Sequence, residues 1–570
     1  MKGIGLVVST KSTLDQPWKR PGAAAYARRR IATALRPPVS VYPMPSDVVK
    51  DGDVPVQMHD GVTLRLNLFR PAGDGPFPVL LSAHPYGKDS VPKRRRGTWT
   101  VNPQFRIMNQ PAPLRISDQT SWEAPDPAWW AKQGYAVISL DTRGGGRSEG
   151  RGDLFSDQEA DDISQVIAWA AEQPWSTGRV GMLGVSYLAM SQYKVAALNP
   201  PALKAICPWE GFTDAYRDFF TPGGVAENGF ARVWLLLTGR VARLRTDLAA
   251  ERRAHPLRDE WWESLTPDLS KITVPILVCT SFSDGNLHST GSMRAFQSVS
   301  STDRHAYAHR GPKWATFYGE DARRTQLAFF DRHLREQDTP SLPRMRLEIR
   351  DRLDHVAQVR DEQEWPLART DWRRLRLADG GTLTEDGDRG SAGSVTFDLR
   401  RNAAVFDHRF EQATEISGPM TLHLRVATTG AADPRLFVGI EKWSHGAPVP
   451  FQGSCGYGRD MVAQGRLRLA LRELDPVLST PHQPEHTFRT LQPVRDNEEV
   501  NVMIPLTPSA TLFRAGERLR LIVAGRYPQP RNPFFGHFPV RYRPTTSGKA
   551  TIVWSPDHPS ALEIPAVAER

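Results

Sequence analysis

The spacing of apolar residues predicts an α/β fold for the part of the chain before about residue 338. Short, nearly continuous apolar runs alternate there with segments in which apolar residues recur every three or four positions. Continuous runs are typical of buried parallel strands, and the second spacing is typical of helices. The alternation therefore indicates a parallel sheet that is covered by helices on both faces. The predicted strands are 77–83, 135–140, 180–185, 205–208, 275–280 and 304–308, and the predicted helices are 157–172, 189–198, 291–299 and 317–335.

Beyond about residue 338 the helical spacing disappears, and short strand-like segments follow one another. Many short strands separated by turn residues are typical of a β-sandwich. The second part of the chain is therefore predicted to be all-β. The predicted strands are 345–349, 395–399, 420–426, 436–440, 467–471, 500–504, 519–523 and 550–554.

Two further segments depart from these patterns. Residues 1–45 lack clean periodicity, and we interpret them as an N-terminal arm with one helix. Residues 210–269 interrupt the strand–helix alternation, and their apolar content predicts inserted helices that form a cap. The expected organisation is thus an arm at 1–45, an α/β core at 46–209 and 270–338, a helical cap at 210–269 and a β-sandwich at 339–570.

The composition limits the kinds of binding partner and the cellular compartment that we expect for this protein. The 570 residues include 73 basic and 63 acidic side chains, and the net charge of +10 is small for this length, so no nucleic-acid partner is predicted. The longest apolar runs fall far short of the roughly 20 residues that a membrane-spanning helix needs. Three cysteines cannot form a fully paired disulfide framework, which favours a reducing compartment and a cytoplasmic location. Whether the chain forms a homo-oligomer is left open.

The sequence around Ser186 predicts a serine nucleophile. A predicted strand ends at Val185 and a helix follows at once, with Gly184 two positions before the serine. This is the nucleophile-elbow arrangement, in which a tight strand-to-helix turn presents the hydroxyl above the sheet. Leu188 stands where the motif usually has a second glycine, so the match is partial and a structural serine is the alternative.

A serine hydroxyl needs a base to remove its proton, and the base needs an acid that orients it. In α/β-hydrolases these residues follow the serine in the order acid, then histidine. Asp284 lies just past the predicted strand 275–280, and His309 lies at the end of the next strand. Because ligand chemistry collects at the carboxyl ends of parallel strands, we predict Asp284 as the acid and His309 as the base.

Three other residues compete for these roles. His305 lies within its predicted strand, and His288 lies near the start of a helix. Both positions are therefore less suitable for the role of the base than that of His309. Asp141 is the rival acid, but it precedes the serine and begins a glycine-rich stretch that predicts a tight loop. The structural alternatives are a turn residue for Asp284 and a surface loop histidine for His309.

The oxyanion that forms when a serine attacks a carbonyl needs hydrogen-bond donors already in place. The backbone N–H of Tyr187 is one donor by position, and the second is expected from residues 84–88, after the strand 77–83. No step of this chemistry requires a metal or an organic cofactor, so none is expected.

Six short motifs lie at residues 85–88, 141–150, 184–189, 283–285, 329–331 and 513–521. Together they resemble the CocE/NonD hydrolases, which are related to cocaine esterase and the X-prolyl dipeptidyl peptidases, and the likeness covers roughly residues 50–560. The resemblance implies Ser186 as nucleophile, Asp284 as acid and His309 as base, with the Tyr86 hydroxyl joining the Tyr187 N–H in the oxyanion hole. It also implies an α/β-hydrolase core, a helical cap and a C-terminal jelly roll.

Three positions depart from the family pattern. Ala189 stands where glycine is frequent, and Phe282 stands where tryptophan or tyrosine is common before the acid. His309 is followed by Arg-Gly-Pro-Lys-Trp, whereas many members place the histidine after a Gly-Pro-Trp stretch.

The prediction that results is a serine hydrolase that cleaves a small-molecule carboxylic ester or amide through an acyl-enzyme. An X-prolyl dipeptidyl peptidase or an α-amino-acid ester hydrolase or acylase is the nearest alternative, with Glu210 and Asp214 as candidate partners of a substrate ammonium. A non-catalytic carbohydrate-binding protein is the alternative from another class. Aromatic side chains around the predicted cap either line an apolar substrate pocket or pack the cap. They are Trp209, Phe212, Phe219, Phe220 and Trp234.

Overall fold

The computed structural model describes residues 7–9, 22–107, 113–385, 392–454, 459–529 and 538–568. Strands alternate with helices in its first part, as the apolar spacing predicts. The strands are β1 Val7–Ser9, β2 Val39–Tyr42, β3 Val48–Gln57, β4 Thr63–Pro71, β5 Phe77–His84, β6 Lys93–Arg95, β7 Thr98–Thr100, β8 Leu114–Ser117, β9 Ala136–Asp141, β10 Ser176–Val185, β11 Leu203–Trp209, β12 Ile276–Ser281 and β13 Arg304–His309. The helices are α1 Ala23–Leu35, α2 Gln104–Ile107, α3 Pro127–Lys132, α4 Asp157–Ala171, α5 Tyr187–Ala197, α6 Phe230–Thr238, α7 Leu248–Ala254, α8 Glu260–Ser264, α9 Ser289–Ser298, α10 Lys313–Phe317 and α11 Glu320–Leu334.

One twisted row of strands positions the site. Its order is β3, β4, β9, β5, β10, β11, β12 and β13. β4 pairs antiparallel with both of its neighbours, and the strands from β9 to β13 in this row pair parallel. The carboxyl ends of the parallel strands therefore meet at one edge, where the loops after them can converge on a ligand.

Alternate side chains of these strands enter two hydrophobic cores. On one face Leu183 and Cys207 pack into the same cluster as Phe330 of α11. On the other face Met182 and Ile206 share a cluster with Val166 of α4 and with residues of α5 and α9. Each fully buried side chain of this kind contributes about 1.5–3 kcal/mol to folding, so both faces of the sheet need their helical cover.

The helix α4 shows how the local sequence determines where a helix begins and which of its faces is buried. The Ser156 side chain accepts a hydrogen bond from the backbone N–H of Glu159 and caps the first turn. Ile163, Val166 and Ile167 recur at helical spacing and are buried against the sheet.

Strands dominate the second part of the chain. The strand β20 is the longest and pairs antiparallel with β26, β28 and β29, while β14 pairs parallel with β13 and so extends the first sheet into this part. The strands are β14 Met345–Arg352, β15 His355–Glu362, β16 Thr370–Ala378, β17 Thr382–Glu385, β18 Gly393–Asp398, β19 Asn402–Arg409, β20 Thr414–Thr429, β21 Arg435–Ser444, β22 Ala447–Val449, β23 Phe451–Gln452, β24 Arg459–Asp460, β25 Ala463–Arg468, β26 Glu499–Phe513, β27 Arg518–Ala524, β28 Lys549–Trp554 and β29 Ala561–Val567.

The segment 210–269 consists of short helices, as its sequence predicts. A π-helical turn at Ala215–Phe220 and a 3-10 turn at Pro222–Gly224 precede α6, α7 and α8. Several polar contacts join this segment to the second part of the chain, including two that involve buried or partly buried charged side chains. Arg217 pairs with Glu485 at 3.2 Å, and the Glu227 carboxylate accepts from the backbone N–H of Arg541 at 2.6 Å.

The N-terminal segment holds the predicted helix, α1, and contributes two strands. β2 pairs parallel with β8, and β1 pairs antiparallel with β19 of the second part. Among the described residues, no helix combines the length and the apolarity that crossing a bilayer demands.

Candidate active site

Ser186 lies at the junction of β10 and α5. Its backbone has φ 60° and ψ −115°, a conformation that a non-glycine residue adopts at a cost, and its N–H donates to the Trp209 carbonyl at 3.0 Å. Gly184 is required by the same turn, because a Cβ at that position would lie 2.4 Å from the Cβ of Leu188. The strand-to-helix turn that the sequence predicts is therefore present, with Leu188 packed into the space that Gly184 leaves.

A chain of hydrogen bonds links Ser186 to a histidine and an aspartate. Ser186 Oγ lies 3.2 Å from His288 Nε2, and His288 Nδ1 lies 2.5 Å from Asp284 Oδ2. The loop after β12 carries Asp284, and His288 lies four residues later at the N-cap position of α9. With its Nδ1 proton donated to the carboxylate, the His288 ring leaves Nε2 as an acceptor for the serine hydroxyl. This is the connectivity that nucleophilic catalysis by serine needs.

The prediction of His309 as the base does not match this geometry. His309 Nε2 lies 3.1 Å from Glu210 Oε1, and its Nδ1 accepts from the backbone N–H of Gly311 at 3.1 Å. Both ring nitrogens are therefore engaged away from Ser186, and the ring packs between Trp209 and Tyr307. The physical reason is side-chain direction: His309 ends β13 as predicted, but its ring faces the end of β11 rather than the elbow.

The other rivals have structural partners. His305 is held by the Asp303 carboxylate and the Pro343 carbonyl. Asp141 accepts from the backbone N–H groups of Lys88 and Arg147, which closes the glycine-rich loop that the sequence predicts to be tight.

Lys313 places a positive charge beside this chain of residues. Its Nζ lies 3.2 Å from Asp284 Oδ2, 3.1 Å from His288 Nδ1 and 3.4 Å from Glu210 Oε2. All four side chains are almost completely buried. Burial opposes the charge of Asp284, but Lys313 and His288 outweigh it and hold the pKa of Asp284 well below its usual value. Burial, with the Lys313 charge added to it, lowers the pKa of His288 below its usual value.

The two predicted oxyanion donors lie close to each other. The rings of Tyr86 and Tyr187 are 6.1 Å apart, and the Tyr86 hydroxyl accepts from the Trp234 indole N–H at 2.9 Å. Burial raises the pKa of Tyr86 well above its usual value, so the phenol keeps its proton for donation. The Tyr187 hydroxyl donates to Glu159, which leaves the Tyr187 backbone N–H as the group that can serve an oxyanion.

The predicted pocket aromatics fall into two groups. Phe212, Phe219 and Trp234 form one cluster beside the site: Phe212 stacks 6.2 Å from the His288 ring, and Trp234 stacks 6.1 Å from Tyr187. Trp209 and Phe220 are fully buried and pack against Phe317 and Trp262, respectively.

The two carboxylates considered for a substrate ammonium already have cationic partners. Glu210 is paired with Lys313 and contacts His309, while Asp214 pairs with Arg217 at 3.2 Å and Arg258 at 3.0 Å. Neither is left with an unbalanced negative charge toward a ligand.

Two sets of side chains among the described residues bring three potential metal ligands within 4.8 Å of one another. They are Glu210, Cys279 and His309, and Glu210, Asp284 and His288. The Lys313 ammonium pairs with Glu210 and Asp284, so a cation would have to displace a charge that is already there. Burial also raises the pKa of Cys279 well above its usual value, which disfavours the thiolate that a metal binds. We therefore assign neither set as a metal site.

Two side chains that matter here had no role in the sequence prediction. Lys313 stands in the stretch that departs from the family's Gly-Pro-Trp pattern, and that departure was the available signal. Glu123 precedes the nucleophile by dozens of residues, and its backbone carbonyl accepts from the Val185 N–H at 3.0 Å. No motif marks Glu123.

Comparison with known proteins agrees with the fold. Residues 60–312 match the X-Pro dipeptidyl-peptidase (S15) family, and residues 339–563 match the X-Pro dipeptidyl-peptidase C-terminal non-catalytic domain. A solved CocE/NonD family hydrolase from Staphylococcus aureus is 34% identical and superposes with a TM-score of 0.86, over 91% of this chain and 94% of that chain.

Two more distant relatives are named for an activity. Cocaine esterase from Rhodococcus sp. (strain MB1 Bresler) is 29% identical over 393 residues, which are 58% of this chain and 62% of that enzyme, so the match spans just under two thirds of the relative. A solved α-amino acid ester hydrolase is 17% identical with a TM-score of 0.68, a likeness of fold alone.

Together these findings define an α/β-hydrolase with a C-terminal domain that is mostly strands. The chain belongs to the CocE/NonD family of serine hydrolases, and the family predicted from the motifs is confirmed.

Proposed function

We propose that this protein hydrolyses carboxylic esters of small molecules through an acyl-enzyme on Ser186, with His288 as the base and Asp284 as the acid. The observation that carries the proposal is the unbroken chain from Ser186 Oγ through the His288 ring to Asp284 Oδ2. Cocaine esterase is an ester hydrolase by name, which supports an ester as the substrate.

The first half-reaction builds the acyl-enzyme. Ser186 Oγ attacks the carbonyl carbon while His288 Nε2 takes its proton, and the carbonyl oxygen becomes an oxyanion that hydrogen-bonds to the Tyr86 hydroxyl and the Tyr187 N–H. The tetrahedral intermediate then collapses, and the leaving alcohol takes the proton from His288. Asp284 keeps the imidazole in the required tautomer and stabilises its transient positive charge.

The second half-reaction releases the acid. Water loses a proton to His288 as it attacks the acyl carbon, the same two donors bind the second oxyanion, and Ser186 leaves with its proton restored. Because the pKa of His288 is lowered, the ring is neutral, and thus a base, at neutral pH.

The proposed architecture assigns each part of the chain a task. Residues 46–209 and 270–338 form the catalytic core, residues 210–269 cover it as a cap, residues 339–570 form a jelly roll, and residues 1–45 form an arm. The cap is supported by Trp234 of α6, whose indole N–H contacts the proposed oxyanion donor Tyr86. Phe212, Phe219 and Trp234 are the proposed apolar wall of the substrate pocket.

A fluorophosphonate probe tests the nucleophile directly. We expect covalent labelling of Ser186 and hydrolysis of aryl esters by the wild-type protein, and the loss of both in Ser186→Ala. If Ser186 stays unlabelled in folded protein, the result would contradict the proposal. It would favour the alternative hypothesis of a non-catalytic binding protein.

An X-prolyl dipeptidyl peptidase or an amino-acid ester hydrolase is the second candidate. The S15 family match supports it, as does a protein from Bacillus anthracis named as a putative Xaa-Pro dipeptidyl-peptidase, 26% identical over 234 residues. We rank it second because Glu210 and Asp214 are already paired with cations. Cleavage of a Xaa-Pro anilide without cleavage of simple aryl esters would reverse this order.

A further inference from the structure

A polar cavity lies where three parts of the chain meet. Its wall is formed by the segment 210–269, by the loop after β12 together with the start of α9, and by β25 with later residues of the second part. The cavity has a volume of about 110 Å³, whereas a single water molecule needs about 10–15 Å³ of cavity space, so a small polyatomic ligand fits. Neither Ser186 nor His288 belongs to the wall, so the cavity is separate from the proposed active site.

Three side chains of this wall retain unused hydrogen-bonding capacity. Arg217 Nη2 and Arg466 Nε are buried donors, Gln464 Oε1 is a buried acceptor, and none of these atoms has a hydrogen-bond partner among the residues that the structure describes. The three residues are only 3–8% exposed. Because a buried polar group without a partner costs free energy, this wall indicates a polar ligand that accepts hydrogen bonds from two donors and donates one to an acceptor.

Arg466 is a cation that is held in place without a carboxylate partner. Its Nη1 donates to the Tyr542 hydroxyl at 2.8 Å, and its Cζ lies 4.1 Å from the centre of the Tyr542 ring. The ion pairs formed within the described part of the chain do not include Arg466. The segment 210–269 is packed tightly against the same residue, because a Cβ at Gly223 would lie 2.1 Å from the Arg466 carbonyl oxygen.

The other charges at the cavity balance one another. The ion pairs are Asp218–Arg294 at 2.9 Å, Glu485–Arg294 at 3.4 Å, Glu485–Arg217 at 3.2 Å, Asp214–Arg217 at 3.2 Å and Asp214–Arg258 at 3.0 Å. Burial lowers the pKa of His486, which also lines the cavity, to about 4, so this ring is uncharged at neutral pH. Three carboxylates thus face three arginines, and Arg466 remains as an additional positive charge that favours an anion.

We propose that this cavity binds hydrogen phosphate. Arg217 Nη2 and Arg466 Nε donate to two phosphate oxygens, and the phosphate O–H donates to Gln464 Oε1. Hydrogen phosphate keeps at least one proton at neutral pH and so matches both donors and the acceptor, whereas sulfate has the same shape and no proton to give. The proposal is independent of the proposed function, because no residue of the active site takes part in binding.

The bound anion connects the three parts of the chain that meet at the cavity. Arg217 belongs to the segment 210–269 and Arg466 to β25, while Gly285 and Leu287 lie beside the proposed acid and base, respectively. A ligand that binds only the folded protein stabilises it. Phosphate should therefore raise the melting temperature, and the increase should grow with the phosphate concentration.

Calorimetric titration of the full-length protein with sodium phosphate, in a phosphate-free buffer of constant ionic strength, is the direct test. We expect one site per chain and weaker binding of sodium sulfate. In Arg466→Met the phosphate affinity should fall about tenfold or more, because a hydrogen bond to a charged group is lost. Gln464→Glu should bind no phosphate, since it places a carboxylate of nearly the same size in the wall.

Arg468→Met is the matched control. Arg468 lies in the same strand and pairs with Asp433 at 2.8 Å, but it does not line the cavity. Its removal also takes one arginine from this region, so it reports any effect of net charge alone. We expect Arg468→Met to bind phosphate with wild-type affinity.

A second control separates this cavity from the active site, whose oxyanion donors could also attract phosphate. Protein labelled with a fluorophosphonate, and the Ser186→Ala variant, should both bind phosphate with wild-type affinity. Loss of phosphate binding after labelling would assign the anion to the active site and overturn the proposal. If the wild-type protein is not labelled at all, the proposed function fails, while the phosphate titration of Ser186→Ala still decides the present proposal.

Three further results would overturn it. They are the absence of both binding heat and a rise in melting temperature, equal affinity for phosphate and sulfate, and unchanged phosphate affinity in Arg466→Met. If Arg466→Met fails to fold, Gln464→Glu makes the same decision, because phosphate binding that survives a carboxylate at position 464 would place the anion elsewhere.

Discussion

His288 Nδ1 lies 2.5 Å from Asp284 Oδ2, and the two residues are separated by a single helical turn. The acid and the proposed base therefore come from one loop and the helix start that follows it. His309, the base predicted from the sequence, lies at the end of the next strand, where its ring contacts Glu210 instead of Ser186. Lys313 completes a buried group of alternating charges behind the proposed base.

Exchange of the two histidines for alanine separates their roles. His288→Ala should lower kcat for an aryl ester by on the order of 10⁴-fold or more, because the serine loses the group that accepts its proton. His309→Ala should lower thermal stability, since Glu210 loses a buried partner, while kcat stays within about tenfold of wild type. Steady-state kinetics and thermal unfolding of both variants check this. Loss of activity in His309→Ala with activity retained in His288→Ala would restore the assignment predicted from the sequence.

Removal of the Lys313 charge should move the acid limb of the pH profile. The Lys313 ammonium disfavours a positive charge on the His288 ring, so Lys313→Met should raise the pKa of His288. The base would then become protonated at higher pH, and the acid limb of kcat/KM would move upward. The measurement is kcat/KM against pH.

The control for this prediction is Lys442→Met. Lys442 is also buried and ion-paired, with Glu517 at 2.7 Å, but it lies in β21, and its other partners are the Asp351 and Leu512 carbonyls of the second part of the chain. Its loss should reduce stability without moving the acid limb. An acid limb that stays in place in Lys313→Met, or moves to lower pH, would contradict the electrostatic role of Lys313.

Tyr86→Phe tests the proposed side-chain donor of the oxyanion hole. Loss of one such donor typically lowers kcat about 10²- to 10³-fold, and KM should change much less because the hydrogen bond strengthens in the transition state. Tyr193→Phe is the matched control, since the Tyr193 hydroxyl is buried without a hydrogen-bond partner in the described part of the chain. Equal kinetics for wild type and Tyr86→Phe would remove Tyr86 from the oxyanion hole.

Gly184→Ala should disrupt the elbow by crowding. The new methyl group would lie 2.4 Å from the Leu188 Cβ, and overpacking of this kind typically costs about 1–3 kcal/mol. We expect a lower melting temperature and slower fluorophosphonate labelling of Ser186. Gly52→Ala is the control, because a Cβ there would meet its nearest atom at 3.8 Å. Adding Leu188→Gly to Gly184→Ala should recover part of the labelling rate, and the absence of any recovery would locate the damage elsewhere.

The local sequence was sufficient to predict the position of a functional residue where one element, or two adjacent elements, define that position. Ser186 could be found because a strand, a glycine and a helix are adjacent in the chain, and the strand-to-helix turn is a local structure. Asp284 could be placed at the correct edge because it directly follows a buried strand. The alternation of apolar runs with helical spacing likewise predicted the parallel sheet, since each element buries its own apolar face.

The choice between His288 and His309 depended on the tertiary structure. Both histidines lie near the carboxyl ends of core strands, so the order of residues along the chain accommodates either one. What distinguishes them is the direction of two rings, which is set by packing against Trp209 in one case and Phe212 in the other. Glu123 is a stronger example, because the hydrogen bond from the Val185 N–H to its backbone carbonyl exists only once a distant loop has folded onto the elbow. The sequence by itself determined the fold class, the nucleophile position and the edge where the chemistry lies, because these follow from contacts within or between successive elements. Only the tertiary structure decided which side chains face the serine, because that depends on contacts between residues far apart in the chain.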